Sequence, residues 1–296
     1  MAIRSAAGVL ARACHLVTQH ELTTENASMT QATNHPRNHI GLAVLLVLAA
    51  SVSCHPAWCD AQEAPQNDGA GSPLKVLLVT SGCCHDYDFQ TKQLQLAFQE
   101  ESVNVVWTVV NDGGKGTSAI LKLYDDPDWA KPYDVVIHNE CFAKTTDAEY
   151  IRRITEPHKA GTPGVVIHCA MHTYREAKID DWRQMLGVTS RRHEHQSRYA
   201  VKVLKANHPV MREFPASWVT PMDELYIIEK QWPNMVPLAE SVSEKTGDPH
   251  PVFWTNQFGA ARVFGTTYGH SNDTFGDHVF LSTLVRGTLW ATGNLQ

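Results

Sequence analysis

The part of the chain that most constrains its fold is an apolar run that ends in two histidines. Residues 164–172 read GVVIHCAMH, so a glycine and three β-branched residues precede His168, Cys169 and His172. An unbroken run of this kind predicts a strand that is buried on both faces, as in the centre of a parallel sheet. Open α/β sheets place their ligand sites at the carboxyl ends of such strands. The run therefore predicts an α/β fold with a site beside His168.

Other segments carry polar side chains at or near the ends of predicted strands. Residues 76–79 lead to His85, residues 262–270 finish on His270, and residues 222–226 are acidic at their start. Neighbouring strands of a sheet lie about 4.8 Å apart, so side chains at their ends can meet in one crevice. We therefore expect His85, His168, Glu224 and His270 to face a common cleft, at least three of them within about 6 Å of a shared point.

Periodicity predicts alternating strands and helices, followed by closely spaced strands and a final helix. The predicted strands are 75–80, 103–110, 134–140, 164–169, 199–204, 225–228, 238–242, 252–258 and 262–268, and the predicted helices are 88–101, 147–160, 180–186 and 277–292. Strands that alternate with helices specify a mainly parallel sheet with right-handed crossovers. The later strands are additional to that sheet.

The composition and charge of the chain limit which classes of partner are expected. The chain has 296 residues, 43% of them hydrophobic, which is enough for a large core. The formal net charge is −6, and Lys and Arg are scattered along the sequence. Nucleic-acid binding proteins carry a basic patch, so no nucleic-acid partner is expected.

The N-terminal part predicts export. Residues 40–50 form an apolar run that is too short for a membrane span of about 20 residues but fits the core of a secretory signal. We expect an extension at 1–28, with Met29 as the better-placed start, and a signal peptide region at 29–61.

A flexible linker is expected at 62–73, because it is rich in Gly, Pro, Asn, Asp and Ser, and the folded domain at 74–296. The mature protein is expected to be periplasmic or extracellular. Lipidation at Cys54 remains the alternative, and the membrane is expected to be contacted only through the signal or that anchor.

The cysteines of the folded domain follow predicted strands. Cys83, Cys84, Cys141 and Cys169 lie at or just past strand ends. Adjacent cysteines do not bridge easily, and a domain of this size needs no staples, so we expect buried or site-lining thiols rather than disulfides. Cys169 lacks the glycine neighbours of a nucleophile elbow and is expected to pack rather than react.

The residue types favour a metal site as the interpretation of the histidines. Zinc prefers imidazole and carboxylate ligands with one position left open. His85, His168 and His270 are the candidate ligands of a divalent metal such as zinc, and His168, Glu224 and His172 are the candidate catalytic residues.

Several segments together resemble the ThuA-like (trehalose utilisation) family. They are residues 134–140, 163–175, 223–226, 251–254, 262–264 with 269–270, and 286–293. The resemblance covers essentially residues 74–296. It implies a flavodoxin-like, class I glutamine amidotransferase-like three-layer sandwich. It also implies a function in sugar metabolism that includes oxidised (keto) disaccharides.

The resulting hypothesis is an exported enzyme that acts on a small-molecule carbohydrate, either a disaccharide or a keto-sugar. The candidate substrate-binding residues are Asp86, Tyr87, Asn139, Glu140 and Arg175. Two alternatives stay open: a non-catalytic sugar-binding module, and a Cys-dependent amidohydrolase. Other histidines, among them His158 and His250, are expected at the surface.

Overall fold

The computed structural model describes residues 72–296 of the chain. The predicted extension, the signal peptide region, the lipidation site at Cys54 and all but the end of the predicted linker lie outside the described residues. Within residues 72–296, no helix is long and apolar enough to cross a membrane.

The helices and strands follow the predicted order. In the described part of the chain the strands are β1 (Leu74–Gly82), β2 (Val105–Val110), β3 (Val135–Cys141), β4 (Gly164–Ile167), β5 (Val188–Ser197), β6 (Ala200–Val203), β7 (Trp218–Val219), β8 (Asp223–Gln231), β9 (Val236–Val242), β10 (Pro249–Phe258) and β11 (Ala261–Thr266). The α-helices are α1 (Tyr87–Glu100), α2 (Ala148–Ala160), α3 (Asp181–Leu186) and α4 (His278–Ala291). A 3-10 helix, His168–Met171, directly follows β4.

Nine strands form one sheet in the order β2-β1-β3-β4-β11-β10-β9-β6-β7, and β5 pairs with β8 beside it. The first five strands of that order pair in parallel, whereas β10, β9, β6 and β7 join antiparallel. The carboxyl ends of β1, β3, β4 and β11 therefore lie next to one another at one edge of the sheet.

Side-chain alternation divides the core into two layers. In β1, Val76 and Leu78 pack with residues of α1 and α4, whereas Leu77 and Val79 pack with residues of α2 and α3. Helices therefore cover both faces of the sheet. This is the predicted three-layer sandwich with additional C-terminal strands, and the fold prediction is confirmed.

Two features differ from the sequence-based expectations. Strand β5 was absent from the predicted strands, because its apolar residues are few. His158 and His250 are buried rather than exposed. The two ring nitrogens of His158 both have partners. Nδ1 of His158 lies 2.8 Å from the Thr162 carbonyl oxygen, and Nε2 of His158 lies 3.1 Å from Nε2 of His138.

Candidate functional site

Three histidines from three different segments meet at the carboxyl edge of the sheet. His85 lies in the loop after β1, His168 starts the 3-10 helix after β4, and His270 lies in the loop after β11. One ligand nitrogen from each lies within 4.8 Å of the others. The sequence-predicted convergence of these three residues is therefore present in the structure.

His168 is held by its backbone and by its ring. Its φ of 45° lies in the left-handed region, which non-glycine residues adopt mainly where surrounding structure enforces it. Its Nδ1 lies 2.7 Å from the Thr267 carbonyl oxygen, so this nitrogen carries the hydrogen. The lone pair of Nε2 then faces the Tyr226 hydroxyl, 3.2 Å away.

Burial keeps two of the three imidazoles neutral. Burial, helped by His270 close by, lowers the pKa of His85 to about 4. Burial and then the neighbouring His85 lower the pKa of His168 well below its usual range. Nδ1 of His85 lies 3.2 Å from the His270 carbonyl oxygen and can donate to it, which leaves Nε2 as the nitrogen with a lone pair. Neutral imidazoles whose other nitrogen donates to a backbone carbonyl are the form that binds metals.

Glu224, at the start of β8, places a carboxylate among the imidazoles. Its Oε2 lies 3.3 Å from Nδ1 of His270, 3.4 Å from Nδ1 of His193 and 3.8 Å from Nε2 of His168. Burial raises the pKa of Glu224, but the hydrogen bond and charge of His270, together with His193 and Gln196, outweigh burial and lower that pKa overall. Glu224 in turn raises the pKa of His270. The site therefore contains a carboxylate and an imidazole that stabilise each other's charged forms.

The buried carboxylate of Asp223 positions both Glu224 and His270. Its Oδ2 accepts from the backbone N–H groups of Gly269 and His270, at 3.0 and 3.2 Å, and from the Thr274 hydroxyl at 2.6 Å. Its Oδ1 accepts from the N–H of Glu224 at 2.7 Å. The loop that carries His270 is thus tied to the strand that carries Glu224.

Three site residues were not found from the sequence. His193 contacts Glu224 from strand β5, Tyr226 contacts His168, and Gln196 Nε2 lies 2.7 Å from Nε2 of His270. The signal for His193 is its pairing opposite Tyr226 in the β5–β8 ladder, which the sequence alone does not reveal.

His172, a candidate catalytic residue, lies one layer behind the cluster. Its ring stacks on the Tyr226 ring with centroids 4.0 Å apart, and its Nε2 is 3.2 Å from the Ser190 hydroxyl. Burial, followed by the charge of Arg175, lowers the pKa of His172 to about 3. It therefore touches the cluster through Tyr226.

Two candidate substrate-binding residues border an open cavity. A cavity of about 610 Å³ is lined by His85, Asp86 and Tyr87 on one side and by the loop from Asn111 to Lys115 on the other. Asp86 also caps α1 by accepting from the Phe89 N–H at 3.1 Å. Of the clustered residues, only His85 lines this cavity; His168, His270 and Glu224 do not.

The other three candidate substrate-binding residues lie elsewhere. Strand β3 extends to Cys141, so Asn139 and Glu140 are still inside the sheet and not beyond its end. Asn139 donates to Gln90, and Glu140 is fully buried with Oε1 2.9 Å from Nδ1 of His138. These two expectations are corrected, because neither side chain reaches solvent. Arg175 is half-buried and donates to the Arg191 carbonyl oxygen, beside a separate cavity of about 590 Å³.

The cysteine expectation is wrong as well. Cys83 is bonded to Cys84, and Cys141 is bonded to Cys169. The loop after β1 turns at Cys84 with a φ of 86°, a conformation that the sequence pattern did not predict. Cys169 is thus a buried disulfide partner rather than a free packing residue.

The donor set fits a divalent ion of borderline softness. Besides the two neutral imidazoles, Nδ1 of His270 is buried and faces only Glu224 Oε2, 3.3 Å away. Zinc–nitrogen bonds of about 2.0–2.1 Å place tetrahedral ligand atoms about 3.3 Å apart. The spacing of up to 4.8 Å between the three histidine nitrogens would have to close by small side-chain rotations. An ion at His168 Nε2 would also take the lone pair that now faces Tyr226.

Comparisons with known proteins agree with this fold. The family model described as ThuA, trehalose utilisation, matches residues 75–291. The crystal structure of a ThuA-like protein from Parabacteroides merdae is 21% identical with a TM-score of 0.59, and the match covers 76% of this chain and 92% of that one. A ThuA-like protein from Bacteroides uniformis is 17% identical with a TM-score of 0.59, over 77% and 95% of the two chains. At these identities the likeness concerns the fold alone. No curated protein matches this chain.

Proposed function

This chain belongs to the ThuA (trehalose utilisation) family, and from that premise we propose that it is an enzyme of carbohydrate metabolism. Its substrate is a disaccharide or a keto-sugar, and its site is the cluster of His85, His168, His270 and Glu224. A divalent ion such as zinc, held by the three histidines, is part of the proposal. We also propose that the protein is exported, which detection of the mature chain outside the cytoplasm would test.

One observation carries the proposal. Three imidazoles from three separate loops bring nitrogens within 4.8 Å of one another, and a carboxylate oxygen lies 3.3 Å from one of them. A buried histidine with a purely structural role normally donates one hydrogen bond to a backbone carbonyl and has no other histidine beside it. Clustered titratable groups with shifted pKa values, one of which (His85) lines an open cavity, are typical of a catalytic site.

The residues support acid–base chemistry next to a sugar carbonyl. Glu224, whose pKa is lowered, is ionised and can accept a proton from a substrate hydroxyl or from a carbon beside a ketone. When no ion is bound, His270, whose pKa is raised by Glu224, can donate one; as a ligand of the ion it would be neutral and Glu224 alone would transfer the proton. The hydroxyl of Tyr226, whose pKa burial raises well above its usual range, stays protonated and can donate a hydrogen bond. A bound zinc ion would add Lewis acidity toward a carbonyl oxygen.

The test is a turnover screen of glycosides and their 3-keto derivatives, followed by chromatography of the released sugars. We expect turnover of at least one keto-glycoside, loss of turnover after chelation and recovery with added zinc. His168→Ala and the isosteric Glu224→Gln are each expected to lower kcat by about 100-fold or more. The matched control is His278→Ala, at the exposed start of α4, which should leave kcat unchanged.

The outcomes separate the alternatives. Sugar binding without turnover of any compound would favour the non-catalytic module. Activity that persists in chelator would remove the metal and keep the histidine–glutamate site. Inactivation by thiol reagents and by Cys169→Ser would favour a Cys-dependent amidohydrolase, against which stands the bond between Cys169 and Cys141.

A further inference from the structure

Four cysteines meet at the same edge of the sheet as the histidines, and the proposed sugar chemistry uses none of them. Cys83 and Cys84 follow β1, Cys141 ends β3, and Cys169 lies in the 3-10 helix after β4. Because β1, β3 and β4 are neighbours in the sheet, these positions are adjacent. The Cα atoms of Cys141 and Cys169 are 5.2 Å apart.

The approach of β1 to β3 at this point depends on a glycine. Gly82 is the register partner of Cys141, and its φ is 114°. A Cβ at Gly82 would clash with the Cys141 carbonyl oxygen. The absence of a side chain thus lets Cys83 lie against Cys141, with 3.7 Å between the two sulfurs.

The two disulfides differ in accessibility. Cys84 is exposed and lines the 610 Å³ cavity, and Cys83 is half-buried. Cys141 and Cys169 are only 3% and 6% exposed. A reductant from solvent can therefore reach the first pair directly, but the second pair only through Cys83 or by opening of the fold. Exchange between disulfides requires access of one sulfur to another.

We propose that the four cysteines form a thiol–disulfide relay. It passes two electrons from an external dithiol through the exposed pair Cys83–Cys84 to the buried pair Cys141–Cys169. The alternative, two independent structural staples, leaves the contact between the Cys83 and Cys141 sulfurs without a role. A domain with cores on both faces of its sheet also needs no staple at this edge.

The relay balances in two exchanges. A sulfur of the dithiol attacks Sγ of Cys84 and the Cys83–Cys84 bond breaks. The second dithiol sulfur then closes the reductant's own disulfide, so that both cysteines become thiols with the dithiol's two electrons and two protons. Next, Sγ of Cys83 attacks Sγ of Cys141, the Cys141–Cys169 bond breaks, and Cys169 takes a proton. Cys84 finally attacks Cys83, which restores their disulfide and releases Cys141 as the second thiol.

The first experiment traps the intermediate. In Cys84→Ser, Cys83 has no partner and is expected to exchange into a Cys83–Cys141 disulfide with Cys169 free. Peptide mass mapping after alkylation with N-ethylmaleimide detects that linkage. The matched control is Cys83→Ser, which leaves Cys84 free and should keep the Cys141–Cys169 disulfide. Cys84→Ser that keeps Cys141–Cys169 intact and alkylates Cys83 overturns the relay.

The second experiment measures the rate at which dithiothreitol reduces the buried pair in folded protein. Replacing both Cys83 and Cys84 by Ser is expected to slow that reduction by about tenfold or more, because the only entry left is opening of the fold. In urea the rates should be equal. Equal rates in folded protein overturn the relay, as does alkylation of Cys83, Cys84, Cys141 and Cys169, located by peptide mapping, in unfolded protein before any reductant is added.

If the variants do not fold, wild-type protein quenched with acid at intervals after dithiothreitol provides the test. The Cys83–Cys141 linkage must rise and fall before the buried pair is reduced, and its absence throughout overturns the relay. None of these readouts uses zinc or a sugar, so failure of the relay and failure of the proposed function are distinguishable.

Discussion

Replacing Asp223 by Asn removes one charge from the buried carboxylate that ties the His270 loop to strand β8. At pH 8 the wild-type side chain is ionised, since burial raises its pKa only to about 6. Its two oxygens accept from the N–H groups of Glu224, Gly269 and His270 and from the Thr274 hydroxyl. Asn supplies one acceptor oxygen, and its NH₂ group must face at least one of these donors.

The least damaging orientation keeps the amide oxygen at the position of Oδ2, which accepts the most hydrogen bonds. The NH₂ then faces the N–H of Glu224 and leaves it without an acceptor. A buried donor without a partner costs about 1–3 kcal/mol, and the remaining hydrogen bonds lose the strength that charge gives them. We therefore expect Asp223→Asn to lower the free energy of unfolding by about 3 kcal/mol.

Urea unfolding at pH 8 measures this value by linear extrapolation. The control is Asp273→Asn, an exposed carboxylate in the same loop, which should change stability by less than about 0.5 kcal/mol. The folded Asp223→Asn variant should also bind zinc at least about tenfold more weakly, because His270 and Glu224 are no longer held together. A stability loss equal to that of the control, with zinc affinity unchanged, would refute the positioning role of Asp223.

Two further predictions concern stability. Burial lowers the pKa of His158 to about 3, from 6.5 in an unfolded chain. The free energy of unfolding that neutral His158 contributes is therefore fully present above pH 6.5 and is lost as pH falls toward 3. Between pH 7.5 and pH 5, wild type should therefore lose about 2 kcal/mol more than His158→Gln in urea unfolding, and parallel pH profiles would contradict this. Gly82→Ala should destabilise by at least about 2 kcal/mol more than Gly114→Ala, because both glycines have positive φ but only Gly82 would clash with Cys141. Equal thermal unfolding shifts in the two variants would count against it.

The fold was predictable because the central strands of its sheet are continuous apolar runs in the sequence. Strands β3 and β4 are buried on both faces, and their β-branched residues predict this directly. Strand β5 was not predictable, since it reads VTSRRHEHQS and owes its conformation to pairing with β8. Its first three residues are buried and the next three exposed, so it lacks the alternation by which a half-buried strand is predicted.

The site was predictable in part for the same reason. His85, His168 and His270 follow strands whose ends the sequence locates, so their convergence follows from sheet geometry. Glu140 was expected at the exposed end of its strand, but β3 continues to Cys141 and the Glu140 side chain is buried against His138. The two disulfides were not predicted, because Cys83–Cys84 needs the positive φ of Cys84 and Cys141–Cys169 needs β3 and β4 to be neighbours in the sheet.

In the proposed function, His85, His168 and His270 form one site for a divalent ion. This can be tested by anomalous diffraction from a zinc-soaked crystal, recorded above and below the zinc absorption edge. We expect a single strong peak about 2.0–2.1 Å from one nitrogen of each of the three imidazoles. A structure without that peak, in which Nε2 of His168 still faces the Tyr226 hydroxyl at full zinc saturation, would contradict it.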